Sequence, residues 1–400
     1  MLPTQLALHF WPPSAFVFGI RVDYLAPSIF LTDILFLTVF LVWIRNQYKI
    51  FFEFVGRNKI FIILFVSLAV YNTAFSTSIF PSIYKWLKLI EFALFSYYVW
   101  ERSEIFYSRI LFSTLFYSLI FFSAIGIGQF VFGRTLGGPF YFLGERNFSI
   151  STPGIALVSI LGKNFIRAYS TFSHPNSFAG FLGLGLITVL FAYSKKEITE
   201  KILGMFVICF AFILTFSFSA FIGIALCVVL LISIRAKLFN VKYINYVPGA
   251  LLLISLAFPL VSRALLQNRL SFPQNIRQRI ELSSLAGSMI SQKFLLGEGL
   301  NTFVVNAPRI KFMGSYLWNL QPVHNIFLLI FSETGILGLL FAYLLLVKLS
   351  KKALLSDNKM FYLALVFILV TGLVDHYWFT LQQNTLLLAT IFGISFREEG

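Results

Sequence analysis

What most constrains this chain is a series of apolar runs, each roughly 15 to 25 residues long, separated by short charged or Gly- and Pro-containing stretches. Each run can cross about 30 Å of hydrocarbon as a helix, and backbone inside a bilayer must satisfy its own hydrogen bonds. Short alternating strands with one polar face, the pattern of a membrane barrel, are absent. With 58% hydrophobic and 12% charged residues, the composition excludes an ordinary soluble chain of this size. The reading is an all-α, polytopic integral membrane protein of about 12 transmembrane helices.

Helices are predicted near residues 5 to 20, 26 to 44, 60 to 77, 82 to 100, 110 to 132, 176 to 193, 202 to 216, 219 to 234, 245 to 262, 324 to 347, 359 to 374 and 378 to 396. With both termini cytoplasmic, more than half of the 31 Lys and Arg residues fall in the inner loops, as cytoplasmic retention of basic loops requires. The net charge of +15 therefore marks membrane sidedness, and no polar stretch is long enough to form a nucleic-acid-binding face. The first crossing is the weakest, because Pro12 and Pro13 interrupt it; a re-entrant or surface helix is its alternative. No basic n-region precedes it, which argues against a cleaved signal peptide.

The chain reads as a single transmembrane domain, 1–400, with two long outer-face segments, 133–175 and 263–323. Cys209 and Cys227 both fall in predicted helices and read as packing residues. The first outer segment carries a short apolar stretch, IALVSILG, expected to lie on or dip into the outer face. It ends in RAYSTFSHPNSFAGFL, where Ser173 or His174 can cap a helix and Pro175 suits its first turn. Arg167 and His174 beside such an end make an anion site, or an ordinary polar cap.

In the second segment Ile276, Ile280, Leu285, Met289 and Ile290 follow helical spacing, so an amphipathic surface helix carrying Arg279 is expected. GEGLNTF follows as a turn, and VHNIFLLIFSETGILGLL re-enters the membrane with His324 and Asn325 at its outer end. Glu333, about two turns inside, must be protonated, paired or facing a hydrated cavity, as must Asp33, Lys88 and Glu91. Lys88 and Glu91 are three apart on one helix and read as a structural ion pair.

TFSHPNSFAGFL, Arg279 followed by GEGLNTF, and VHNIFLLIFSETGILG resemble, in this order, the O-antigen ligase and O-antigen polymerase superfamily of bacterial membrane glycosyltransferases. GLVDHYWFTLQQNTLLL and DYLAPSIFLTDIL are also similar to members. The resemblance implies a GT-C-like helical fold in the bacterial inner membrane, with an outward-facing site. It implies a polyprenyl-diphosphate-linked glycan as donor, and a glycan, lipid or protein hydroxyl as acceptor, with neither metal nor other cofactor. Other polysaccharide assembly proteins are conceivable partners. The resemblance assigns His324 to the acceptor as the catalytic residue and Arg279 to the donor diphosphate. Arg167 joins Arg279 there, with His174, Asn176 and Asn325 in support.

A neutral imidazole can take a proton from a hydroxyl, and a guanidinium can bind two phosphate oxygens at once. The sequence departs from the family twice. Phe218 in TFSFSAF stands where an Arg is expected, and Ser283 stands where members have a Trp four residues after the loop Arg. No acidic pair or His cluster has metal-ligand spacing; the nearest feature, Asp375-His376, reads as a helix terminus interacting with its own backbone. Two alternatives stay open: a transporter or flippase, signalled by paired broken helices, and an inactive scaffold, motivated by Phe218 and Ser283.

Overall fold

The computed structural model describes residues 3–106, 108–236, 246–268, 272–310, 320–355 and 359–395. Its main elements are helices. The first half contains α1 (Leu31–Arg57), α2 (Lys59–Ala74), α3 (Ile79–Glu101), α4 (Arg109–Phe132), α5 (Pro175–Ala192), α6 (Ile202–Leu214) and α7 (Phe218–Arg235). The second half contains α8 (Val247–Gln267), α9 (Gln274–Gln292), α10 (Phe303–Ile310), α11 (Ile326–Leu355), α12 (Met360–Gly372), α13 (Tyr377–Thr380) and α14 (Gln382–Ser395). Among the described residues six helices, α1, α4, α5, α7, α8 and α11, are long and apolar enough to cross a membrane. Three shorter apolar helices, α2, α6 and α12, accompany them. The chain is an all-α polytopic membrane protein.

The crossing expected over residues 5 to 20 does not form. Residues 7–30 instead make two small antiparallel pairs, β1 (Ala7–His9) with β4 (Ser28–Phe30), and β2 (Phe16–Val17) with β3 (Ile20–Arg21). Pro12 and Pro13 have no N–H to give to a helical ladder, and Pro13 opens a single 3-10 turn, Pro13–Ala15. Thr171 and Gln383 both donate to the Pro3 carbonyl, at 2.7 and 2.9 Å. Gln383 stands in the first turn of α14 and Ser395 at its far end, so the first and last described residues occupy opposite ends of the bundle. The twelve-crossing scheme with both termini on one side loses its first member.

At the centre, α12 is buried along its whole length, from Met360 to Gly372. It packs against α5, α7, α11 and α14. Close approach to α5 depends on glycine: a Cβ on Gly183 would lie 2.3 Å from Cζ of Phe367.

Helix α11 breaks at Gly335, where φ is +66° and ψ −170°. The backbone of residues 294–299 fills the break. Ile336 N–H donates to Phe294 O at 2.8 Å, while Glu298 and Gly299 donate to Ser332 O and Glu333 O, each at 2.9 Å. Backbone freed inside a membrane is tolerated only where protein re-satisfies it in this way. Any side chain at Gly335 would place its Cβ 2.2 Å from Leu295 O.

The intramembrane charges all find partners. The Glu333 carboxylate accepts from the amides of Asn301 and Phe303, at 2.9 and 3.0 Å, and so caps α10. Lys88 binds Glu91 at 2.9 Å as its spacing suggests, and it also binds Asp33 from α1. Asp33 in turn accepts from Phe30 N–H at 2.9 Å and from Gln382 of α14. The pair read from one helix is thus part of a cluster joining three. Cys209 and Cys227 are both free.

Candidate functional site

His174 caps α5 with extended backbone, and its Nδ1 accepts from Asn176 N–H at 3.1 Å; Pro175 occupies the first helical position, as expected. Asn176 is the hub of this corner. Its Oδ1 accepts from Arg167 Nη2 at 2.7 Å and its Nδ2 donates to Asp375 Oδ2 at 2.8 Å. Arg167 also donates from Nε to Thr215 O, at 2.6 Å, at the end of α6. Its guanidinium therefore lies against the α6–α7 turn, the turn at which the resemblance expected an arginine. Phe218 itself is 76% exposed.

The amphipathic helix expected in the second outer segment is α9, which buries Ile280, Leu285 and Met289. Arg279 projects from it and donates from Nη1 to Val374 O at 2.8 Å, on the loop that follows α12. Ser283, one turn further on, is buried.

At the head of α11, Asn325 Oδ1 accepts from Phe327 and Leu328 N–H, each at 3.0 Å, and from Ser255 Oγ at 2.7 Å. Its Nδ2 donates to Leu373 O at 2.9 Å. The residue next to it, His324, is held by this fixed cap, yet the His324 Nδ1 is buried and has no hydrogen-bond partner among the described residues. The His324 ring centroid lies 5.2 Å from that of His376.

The expected site residues thus converge from three separate regions: Arg167 and His174 with Asn176 at the entry to α5, Arg279 from α9, and His324 with Asn325 at the entry to α11. What the sequence reading missed is the group at their centre. Asp375 accepts from His376 N–H at 2.8 Å, and His376 Nδ1 pairs with Thr380 Oγ1 at 2.7 Å. These are the local contacts of a helix terminus, but Asp375 also receives Asn176 and faces the other basic groups. A carboxylate and an imidazole directly after an apolar span were the available signal. Tyr24 had none: its ring stands edge-on to His376, 5.5 Å away, and Asn301 Nδ2 donates to its carbonyl at 3.0 Å. Lys85, near the N-terminal end of α3, donates from Nζ to Phe379 O at 2.6 Å.

The electrostatics follow from one buried carboxyl set among three imidazoles and two guanidinium groups. Burial pushes the Asp375 carboxyl up, but His376, His324, His174 and Arg279 outweigh it and hold it below the ordinary carboxylate range. Burial drives His324 well below 6.5, with His376 and Arg279 adding to the effect and Asp375 opposing it. His174 is pushed down to about 4, again mainly by burial. Burial also lowers Arg167, to about 10, which leaves it cationic at neutral pH. The site therefore offers guanidinium groups to an anion and neutral imidazoles as proton acceptors. Among the described residues no three His, Cys, Asp or Glu side chains are grouped to hold a metal ion.

The model of a known protein family, the O-antigen ligases, matches residues 203–343. This match supports the resemblance to the O-antigen ligase/polymerase superfamily. The matched O-antigen ligase segment runs from α6 into α11 and contains both Arg279 and His324. Arg167, His174, Asn176 and Asp375 lie outside it, so their place beside the O-antigen ligase segment is known from geometry alone. No curated protein matches the chain. Members of the O-antigen ligase family are glycosyltransferase-like membrane ligases and polymerases, which use a lipid-linked glycan donor.

Proposed function

We propose that this chain transfers or polymerises a polyprenyl-diphosphate-linked oligosaccharide onto a hydroxyl acceptor, without a metal, at the outer face of a bacterial cytoplasmic membrane. The fold would be of the GT-C type. The observation that carries the reading is the convergence of Arg167, Arg279 and His324, from three distant segments, around Asp375 at one end of the bundle. The opposite end carries Arg57, Lys59, Arg102, Arg109 and Lys351 on its loops and helix ends, which supports a cytoplasmic assignment for that end. On this reading residue 3 faces outward with the site and Ser395 faces inward.

The chemistry is a single displacement. The acceptor oxygen forms a bond to the anomeric carbon as the bond from that carbon to the diphosphate oxygen breaks. His324 takes the hydroxyl proton, and the guanidinium groups of Arg167 and Arg279 receive the charge that builds on the leaving diphosphate. Asp375 holds Asn176, and through it Arg167, in place. Arg167 against the α6–α7 turn supplies a cation where Phe218 cannot, which weakens the inactive-scaffold alternative. The transporter alternative called for paired broken helices, whereas the break at Gly335 is filled by the chain's own turn.

The test is transfer of a labelled glycan from polyprenyl diphosphate by the purified protein in lipid, with and without excess EDTA. Transfer that survives EDTA supports the reading; no transfer across a panel of donors and acceptors overturns it. Arg279→Lys is expected to reduce kcat/KM about tenfold or more, because an ammonium cannot make the two-pronged contact. Equal kcat/KM in the variant would remove Arg279 from the donor site.

The lowered His324 pKa fixes the sign of a pH effect. A base that stays neutral below pH 6.5 keeps its activity there, so the acid limb of kcat/KM falls below 6.5. A bound diphosphate adds negative charge and raises the same pKa, so the acid limb of kcat lies higher than that of kcat/KM. A pH profile with both limbs at or above 6.5 would contradict this.

A further inference from the structure

The first outer segment contains a hairpin that the site chemistry does not use. Strands β5 (Leu157–Ile160) and β6 (Lys163–Ile166) pair antiparallel, with Ile160 opposite Lys163, so Leu161 and Gly162 alone make the turn. Both have positive φ, +49° and +78°. Such a turn favours Asn-Gly, and a bulky apolar residue at its first position is an outlier. Leu161 is also 99% exposed, so no contact among the described residues compensates for that conformation.

The surroundings indicate what does. Phe165 on β6 stacks on Phe130 in the last turn of α4, with ring centroids 5.3 Å apart and planes at 11°. Val131 and Phe132, which follow Phe130, are each 68% exposed on a membrane-spanning helix. The apolar outer surface of α4 therefore continues onto the hairpin. Lys163, exposed on the returning strand beside the tip, is a cation suited to lipid phosphates. At the other end Arg167 N–H donates to Ala156 O at 3.3 Å and closes the hairpin's root. Tip and root are about 20 Å apart for six residues of extended chain.

We propose that the β5–β6 hairpin is a lipid-inserting finger. Leu161 enters the hydrocarbon edge of the outer leaflet, Lys163 meets the anionic phosphates of its phospholipids, and the rigid root fixes Arg167 relative to that leaflet. The consequence for catalysis rests on Arg167 as a donor-diphosphate ligand: the finger sets the height at which a lipid-borne diphosphate meets the site.

The insertion is tested without activity. A nitroxide at Leu161→Cys, in a Cys209→Ser, Cys227→Ala background, is read in nanodiscs of phosphatidylethanolamine and phosphatidylglycerol. Collision with oxygen is expected to exceed collision with a water-soluble nickel chelate, and the reverse order overturns the proposal. Leu161→Asn, which suits the turn and is not expected to harm folding, gives an independent reading. It should raise KM for a long-chain bilayer donor about threefold or more, and leave KM for a short-chain, water-soluble diphosphate donor unchanged. Equal KM changes for the two donors would also overturn it. Absence of transfer in the wild type would count against the glycosyltransferase reading and leave the collision result standing.

Discussion

Replacing His324 by Ala is expected to lower kcat by about a hundredfold or more, measured as glycan transfer at saturating donor and acceptor, with membrane insertion and folding unchanged. The separation of the two effects follows from the local bonding. The imidazole Nδ1 has no hydrogen-bond partner among the described residues, so truncation leaves no stranded group among them. The cap of α11 is built by Asn325, whose side chain keeps its bonds to Phe327, Leu328, Ser255 and Leu373. A fold that tolerates the change and an activity that does not is the signature of a group held for chemistry. An unaltered kcat would transfer the role to His376 or show that no base is needed.

The second large effect is on stability. Lys88→Met should destabilise the protein by about 3–5 kcal/mol, because it leaves Asp33 and Glu91 facing each other with little access to water. Their side chains are only 8% and 13% exposed, so solvent cannot take over the role of the ammonium. Denaturation in detergent measures the loss, and the folded fraction should keep its specific activity. Adding Asp33→Asn and Glu91→Gln to Lys88→Met should restore most of the stability. A single Lys88→Met variant as stable as the wild type would mean that the cluster is not a brace.

The features legible in the sequence were those written locally. The cap at His174-Pro175, the amphipathic spacing that became α9, and the polar pair His324-Asn325 heading α11 each depend on neighbours within a few residues. Apolar length alone gave the membrane class. The same criterion failed over residues 5 to 20, since hydropathy does not distinguish a helix from paired strands, and Pro12 and Pro13 decide between them. The third member of the Lys88 cluster, Asp33, sits 55 residues away on another helix, and no periodicity links the two. Asp375-His376 was visible but read only through its backbone contacts, because its partners Asn176 and His324 come from other segments. Tyr24 was hidden because it lies in the connector between two predicted helices, far in sequence from His376.

The interruption of α11 at Gly335 divides that helix mechanically. Above it, the short stretch from His324 to Glu333 is clamped to the preceding turn through the bonds of Ser332 and Glu333 with residues 298, 299, 301 and 303. Below it, a longer stretch runs on to Leu355, and its first residue, Ile336, is held by Phe294 O at 2.8 Å. Gly335 is therefore a splinted break: both stretches rest on one run of backbone, residues 294–303, which fixes the heading of the imidazole relative to the rest of the helix.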